Sequence, residues 1–391
     1  MAIADQDLTA DPTGAGLASI AAQLADAAWV EDVFGQLAGT TSEMLDQLRR
    51  RYWRIALAVH PDRHRASPAA SEAFVTLQRL HARAQELVRA GQYGARTTPA
   101  APIVITTRKH EYVVGSLLAQ GDLASLYRCT ASDGRQAQDA ILKVARDGAD
   151  NDLLANEART LRLLHAPTDG RPVPAYVPRL LEAFLYDDGT DRPRQANAFA
   201  LAMTESGPLP ADGFYSLAEV RAHYREGVDP KQMAWIWRRL SIALGYAHER
   251  GVVHGAVLPT HILIHPKEHA LLLVDWAYSV HQPDRTDERI AAIVADYERW
   301  YPTAVLTKRL PGPAVDLEMG LRCMVYLLGG DPLTGALPAT VPARIHAYLR
   351  GPLLTGAQRT SAARLYHDFS QLLAGLWGQR RFVPFSMPAR H

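Results

Sequence analysis

The stretch GVVHGAVLPTHILIHP, residues 251–266, decides how the larger part of the chain reads. Two β-branched residues, Val252 and Val253, lead into His254. A turn around Pro259 and Thr260 follows, and Ile262-Leu263-Ile264 resumes as a short strand. A histidine at the end of an apolar run, just before a tight turn and a strand, is the layout of a loop that does chemistry. Yet the loop holds no carboxylate. Ala256, Val257 and Leu258 follow the histidine, and an alanine methyl neither accepts a proton nor orients a hydroxyl.

Upstream of this loop, residues 231–249 (KQMAWIWRRLSIALGYAHE) read as one long helix; downstream, Leu271 to Val274 read as a strand. More helical patterns run to the chain end, the last marked by Leu365, Phe369, Leu372, Leu373, Leu376 and Trp377. Before about residue 217 the texture differs. Tyr112 to Leu118 and Ser125 to Thr130 read as strands on either side of a turn containing Gly121. Asp133-Gly134 is a hairpin signal, and Ala140 to Ala145 is a third strand. A helix over 151–165 and a strand near 196–203 complete the pattern. A small antiparallel-sheet lobe followed by a helical lobe is an α+β arrangement with a cleft between them.

The first quarter of the chain is helical in pattern. Leu45, Leu48, Tyr52, Ile55, Ala56 and Val59 line one face of a helix, and Arg49, Arg50, Arg51 and Arg54 crowd the rest of it. A second helix starts after Ser67-Pro68 and carries Phe74, Leu77, Leu80, His81, Ala84, Leu87 and Val88 on its apolar face. The two make an antiparallel hairpin. His60-Pro61-Asp62 falls at its turn, where proline stops a helix. The expected organisation is a disordered N-terminus over 1–23, a helical module over 24–91, a linker over 92–109 that ends in a strand, and the α+β part over 110–391.

Composition narrows the function. A chain of 391 residues exceeds one ordinary core. Its 42 basic residues nearly balance 41 acidic ones, so no global field favours nucleic acid or an anionic membrane. The two cysteines, Cys129 and Cys323, lie in apolar stretches and read as buried free thiols of a reducing compartment. The N-terminal residues show no basic-then-apolar leader, and the apolar run Ala270 to Val274 is far short of the roughly 20 residues a bilayer needs. A cytoplasmic protein is expected. His261, His265 and His269 are spaced by four, but Pro266 and the strand at 262–264 exclude the helix a metal ladder would need.

On these residues the helical module resembles the J domain, whose members dock on DnaK-type chaperones and stimulate their ATP hydrolysis. His60, Pro61 and Asp62 match the family signature. Arg49, Arg50, Arg51 and Arg54 match its basic helix, and residues 29–34 match its short first helix. The resemblance implies a DnaK-type chaperone as partner, met through an electrostatically steered encounter.

Residues from about 110 to 380 resemble the protein-kinase fold, with parts missing. The glycine-rich loop that cradles phosphates keeps only Gly121 and gains Asp122. The phosphate-binding lysine is matched by Lys143 and its helix partner by Glu157. In the catalytic loop His254 is kept, the aspartate position holds Ala256, and the magnesium-binding asparagine position holds His261, a poor ligand for so hard a cation. The metal-binding triplet reads Asp275-Trp276-Ala277, which keeps one carboxylate for magnesium. Asp316 matches a buried aspartate that ties a central helix to the catalytic loop; by itself it also reads as a helix cap. The resemblance implies ATP and magnesium as the groups such a cleft would hold, with Gly121, Lys143, Glu157 and Asp275 around them. The altered loop implies a pseudokinase.

Three functions follow. The first is a co-chaperone adaptor that recruits a DnaK-type chaperone and binds a client or nucleotide through a catalytically dead kinase-like scaffold. The others are a divergent ATP-dependent serine/threonine kinase and a pure protein-interaction module.

Overall fold

In a computed structural model, residues 2–5, 14–27, 29–64, 67–94, 103–166, 172–187, 189, 192–205, 207–355, 361–379 and 381–388 are described. The chain is an α+β protein that divides into two compact units, Met1–Ala101 and Pro102–His391.

The first unit is built on α3 (Thr41–Val59) and α4 (Pro68–Arg89). Thr40 caps α3 reciprocally: its hydroxyl accepts from the Glu43 amide (3.4 Å), and the Glu43 carboxylate accepts from the Thr40 amide (2.7 Å). The apolar stripe then faces α4, with Leu48, Ile55, Val59, Leu77, Ala84 and Val88 almost fully buried. A leucine so enclosed contributes about 1.5–3 kcal/mol. A short helix α2 (Val30–Phe34) precedes them and buries Val33 and Phe34 in the same core.

The expectation of disorder over 1–23 is corrected for residues 2–5 and 14–23; residues 1 and 6–13 lie outside the described residues. Gly14–Asp26 forms helix α1, which packs on α4 and α3. Leu17, Ile20 and Leu24 lie at helical spacing and are buried. Residues 2–4 are also buried, in a turn of 3-10 helix against α2 and α3. The alanines, glycines and serines around these positions mask the stripe in composition. Of the linker expected over 92–109, residues 95–102 lie outside the described residues, and Ile103–Thr106 is a strand.

The second unit opens with a six-stranded antiparallel sheet: β1 (Ile103–Thr106), β2 (Glu111–Gln120), β3 (Ala124–Ser132), β4 (Ala137–Ala145), β5 (Leu180–Tyr186) and β6 (Arg194–Ala200). Their spatial order is β1-β2-β3-β4-β6-β5. Strand β5 has no counterpart in the sequence reading. Register sorts the side chains: Leu126 pairs with Lys143, and Lys143 with Asn197, so these share one face with Ile141 and Phe199. The opposite face carries Cys129, Ala140, Leu142, Ala196 and Ala198, which close a small core with Tyr112. Helix α5 (Asn151–His165) follows β4 and packs on β5 and β6.

Beyond the sheet the unit is mainly helical. Helix α6 (Leu217–His223) leads to α7 (Pro230–Glu249), which starts at a Pro230 first turn capped by Asp229. Helices Pro313–Leu327 and Ala362–Trp377 pack on α7. Gly320 permits the close approach of the first, because a Cβ there would meet the Trp237 ring at 3.0 Å. Trp237 is core, donating to the Tyr348 hydroxyl (2.9 Å), while Trp235 stacks on His269 (centroids 4.4 Å). The loop of residues 251–261 leaves α7 for a hairpin of Ile262–His265 and Ala270–Leu273. The chain end docks on this part through its carbonyls: Pro384 accepts from Gln232 (2.9 Å), Ser386 from Tyr224 (2.7 Å) and Pro388 from Tyr215 (2.7 Å). Both cysteines are buried free thiols. No helix among the described residues is long and apolar enough to cross a membrane.

Candidate functional site

Strand register and helix phase bring three charged residues from distant parts of the second unit to one point. Lys143 leaves the middle of β4 on the face that α5 covers, and Glu157 comes from the second turn of α5. Asp275 follows the hairpin strand Ala270–Leu273 in a left-handed conformation (φ 65°), which aspartate tolerates better than most residues. The Lys143 ammonium donates to Glu157 Oε1 (3.0 Å) and to Asp275 Oδ1 (2.5 Å). The lysine and glutamate side chains are 7% and 3% exposed and Asp275 is 28% exposed, so this is an interior ion pair open on one side. Burial works against the Lys143 charge, but Asp275 and Glu157 outweigh it and hold the ammonium above its ordinary pKa. Burial likewise opposes the Asp275 charge, and Lys143 with His261 reverses that and holds the carboxyl well below the usual range. Glu157 is pushed up, chiefly by burial.

His261 joins the same point. Its Nε2 lies 3.2 Å from Asp275 Oδ2, and its Nδ1 lies 2.8 Å from the Ala256 carbonyl oxygen. Both oxygens of Asp275 are therefore engaged, one by an ammonium and one by an imidazole. That arrangement does not fit a magnesium ion. Such an ion takes oxygen ligands in near-ideal octahedral geometry, and here the nearest second group is a ring nitrogen already bonded to Asp275. No cluster of three or more His, Cys, Asp or Glu side chains placed to hold a metal occurs among the described residues.

The loop itself is fixed from below. Asp316, fully buried in the first turns of helix Pro313–Leu327, accepts from the His254 amide (2.8 Å), the Gly255 amide (2.9 Å) and His248 Nε2 (2.8 Å). Gly312, not Asp316, is the N-cap of that helix. Gly255 has φ 79°, and a Cβ there would stand 2.6 Å from the Tyr278 carbonyl oxygen. His254 is wholly enclosed. Its Nε2 donates to the Val274 carbonyl (3.0 Å), its Nδ1 accepts from the Ala256 amide (3.3 Å), and its ring meets Trp276 edge-on (4.5 Å). Burial lowers its pKa to about 4, so it is a neutral packing group. Ala256 and Leu258 are also fully buried, and Trp276 donates its indole N–H to the Leu273 carbonyl (2.8 Å).

Gly121 is not part of this cluster. It lies in the tight β2–β3 turn, where its amide donates to the Ala124 carbonyl (2.9 Å) and its own carbonyl accepts from Arg146 (3.1 Å). A turn closed in this way does not offer the Gly121 amide to a phosphate.

Two participants escape the sequence reading. Asn197, fully buried, donates to Glu157 Oε2 (3.1 Å) and to the Leu154 carbonyl (2.9 Å), and so sets the glutamate's orientation. Asn156 donates to the carbonyls of Ala277 (3.0 Å) and Ser279 (2.8 Å), tying α5 to the segment after Asp275. Asn197 is recognisable only from the register that places it opposite Lys143.

In the first unit His60 ends α3, and its ring meets Phe74 of α4 edge-on (5.3 Å). Pro61 opens the 3-10 turn Pro61–His64; the Asp62 side chain lies outside the described residues. Arg49 and Arg50 are exposed. Arg51 donates to the Phe34 carbonyl and Arg54 to that of Ala4 (2.9 Å), so these two also brace the unit. Trp53 and Leu57 stand on the arginine side of α3, 60% and 59% exposed.

No family model matches the chain, and neither does any curated protein.

Proposed function

We propose that the protein is a co-chaperone adaptor: a J-like helical unit that recruits a DnaK-type chaperone, joined to a kinase-like unit that binds a client and transfers no phosphate. The observation that carries the first half is the break at His60-Pro61 between two packed helices, preceded on α3 by the exposed Arg49 and Arg50. Exposed cations on the helix that leads into the turn suit an acidic partner surface and act mainly on the rate of encounter. The second half is supported by the enclosed Ala256 and by Asp275, whose two oxygens are both engaged.

Stimulation of a DnaK-type chaperone's ATPase by the full-length protein, wild type against His60→Gln, tests this reading. Stimulation is expected in the wild type and its loss in the variant, with an unchanged unfolding midpoint. Equal stimulation by both proteins, or none by the wild type, would remove the chaperone role.

A divergent ATP-dependent kinase is the second reading. The paired Lys143, Glu157 and Asp275 favour it, because phosphoryl transfer depends more on positioning and electrostatics than on a base.

A further inference from the structure

We propose that the cleft beside Lys143 takes an uncharged, largely apolar ligand and takes it without a metal ion. The inference rests on the kinase-like reading of the second unit and departs from the triphosphate that reading would suggest.

The cavity holds about 400 Å³, enough for a small molecule. Its walls are aliphatic on two sides. Leu126 and Ile141 come from the sheet, Leu263 and Leu272 from the hairpin beyond α7, and Phe199 and Val274 join them. Aliphatic side chains from two separate sheets thus line one cavity, and such a lining favours an apolar ligand.

The charged end of the cavity is already satisfied. Lys143 meets two carboxylates, and Asp275 meets Lys143 through one oxygen and His261 through the other. Both ring nitrogens of His261 face oxygens, those of Ala256 and Asp275. The Lys143 ammonium is thus committed to two carboxyl groups of this chain and is not a free cation for a phosphate. The turn above is no substitute: the Gly121 amide is bonded within the turn, and Asp122 beside it is an exposed carboxylate. Two further titratable side chains line the cavity. His165 has its Nε2 against the Pro178 carbonyl (3.0 Å), with its pKa lowered by burial, and Arg179 is exposed to solvent, where salt screens it.

Adenosine and ATP form a matched pair that isolates the phosphate charge. Calorimetric titration of the full-length protein with adenosine, with ATP, and with ATP plus magnesium tests the proposal. Adenosine should bind at least as tightly as ATP, and magnesium should change the ATP affinity by less than about twofold. Ile141→Trp, which fills the cavity, should weaken adenosine by about tenfold or more. If that variant has a lowered unfolding midpoint, Leu272→Phe fills the cavity from the hairpin side and should act alike. Magnesium-dependent ATP binding about tenfold tighter than adenosine would overturn the uncharged ligand while leaving a kinase-like cleft in place. Adenosine binding unchanged in a folded cavity-filling variant would overturn the site. Silence of all three ligands would overturn both the ligand class and the nucleotide-cleft reading, and the chaperone assay would stand apart from it.

Discussion

Asp275 and Asp316 are two aspartates of the same unit, and their surroundings separate architecture from chemistry. Asp316 is fully buried and held by two backbone amides and a histidine. Two of its partners are backbone amides of the loop it shapes, and the third, His248, belongs to α7. Asp275 is 28% exposed and held by the side chains of Lys143 and His261. Its partners are side chains from two other elements, and Lys143 lines the same cavity as Asp275. The loop of residues 251–261 is therefore held in form by Asp316, with Ala256 enclosed and His254 neutral within it.

The largest effect should come from Asp316→Ala. Two amides and a ring N–H would be left buried without an acceptor, at a cost of about 3–5 kcal/mol. Urea unfolding should show this as a large fall in the midpoint. A loss under about 1 kcal/mol would mean that the loop holds itself.

Acidification should act through His254. Its folded pKa of about 4 lies below the ordinary value near 6.5, so between those values the unfolded chain binds more protons. Stability from this group is complete above about pH 6.5 and falls as the pH drops towards 4. From pH 7 to pH 5 the loss is about 2 kcal/mol. Unfolding midpoints of the wild type and His254→Gln across that range should differ in slope; parallel curves would show that His254 titrates normally.

The smallest effect should come from Asp275→Ala, about 1–2 kcal/mol, because Lys143 keeps Glu157 and the site is open to water. A loss as large as that of Asp316→Ala would erase the distinction between the two aspartates.

Much of this layout is legible in the sequence because it rests on local periodicity. The stripes of α3 and α4, the Asp133-Gly134 turn and the apolar run Ile262-Leu263-Ile264 each declare one element. What is missed rests on partners far along the chain or on weak composition. Helix α1 hides its Leu17, Ile20 and Leu24 among small residues. Strand β5, LLEAFLY, is a short apolar run that periodicity alone does not assign. The bond from His261 to Asp275 and that from Asn197 to Glu157 depend on strand register, which no stretch of sequence states alone. The alanine at position 256 is visible in the sequence; the engagement of both Asp275 oxygens is not.

Incubating the full-length protein with γ-labelled ATP and magnesium, beside Asp275→Ala, asks directly whether the cleft transfers phosphate. We expect no label on the protein itself or on a general protein substrate beyond that seen with the variant. Label that depends on Asp275 would contradict the adaptor reading and establish a kinase that works without an aspartate at position 256.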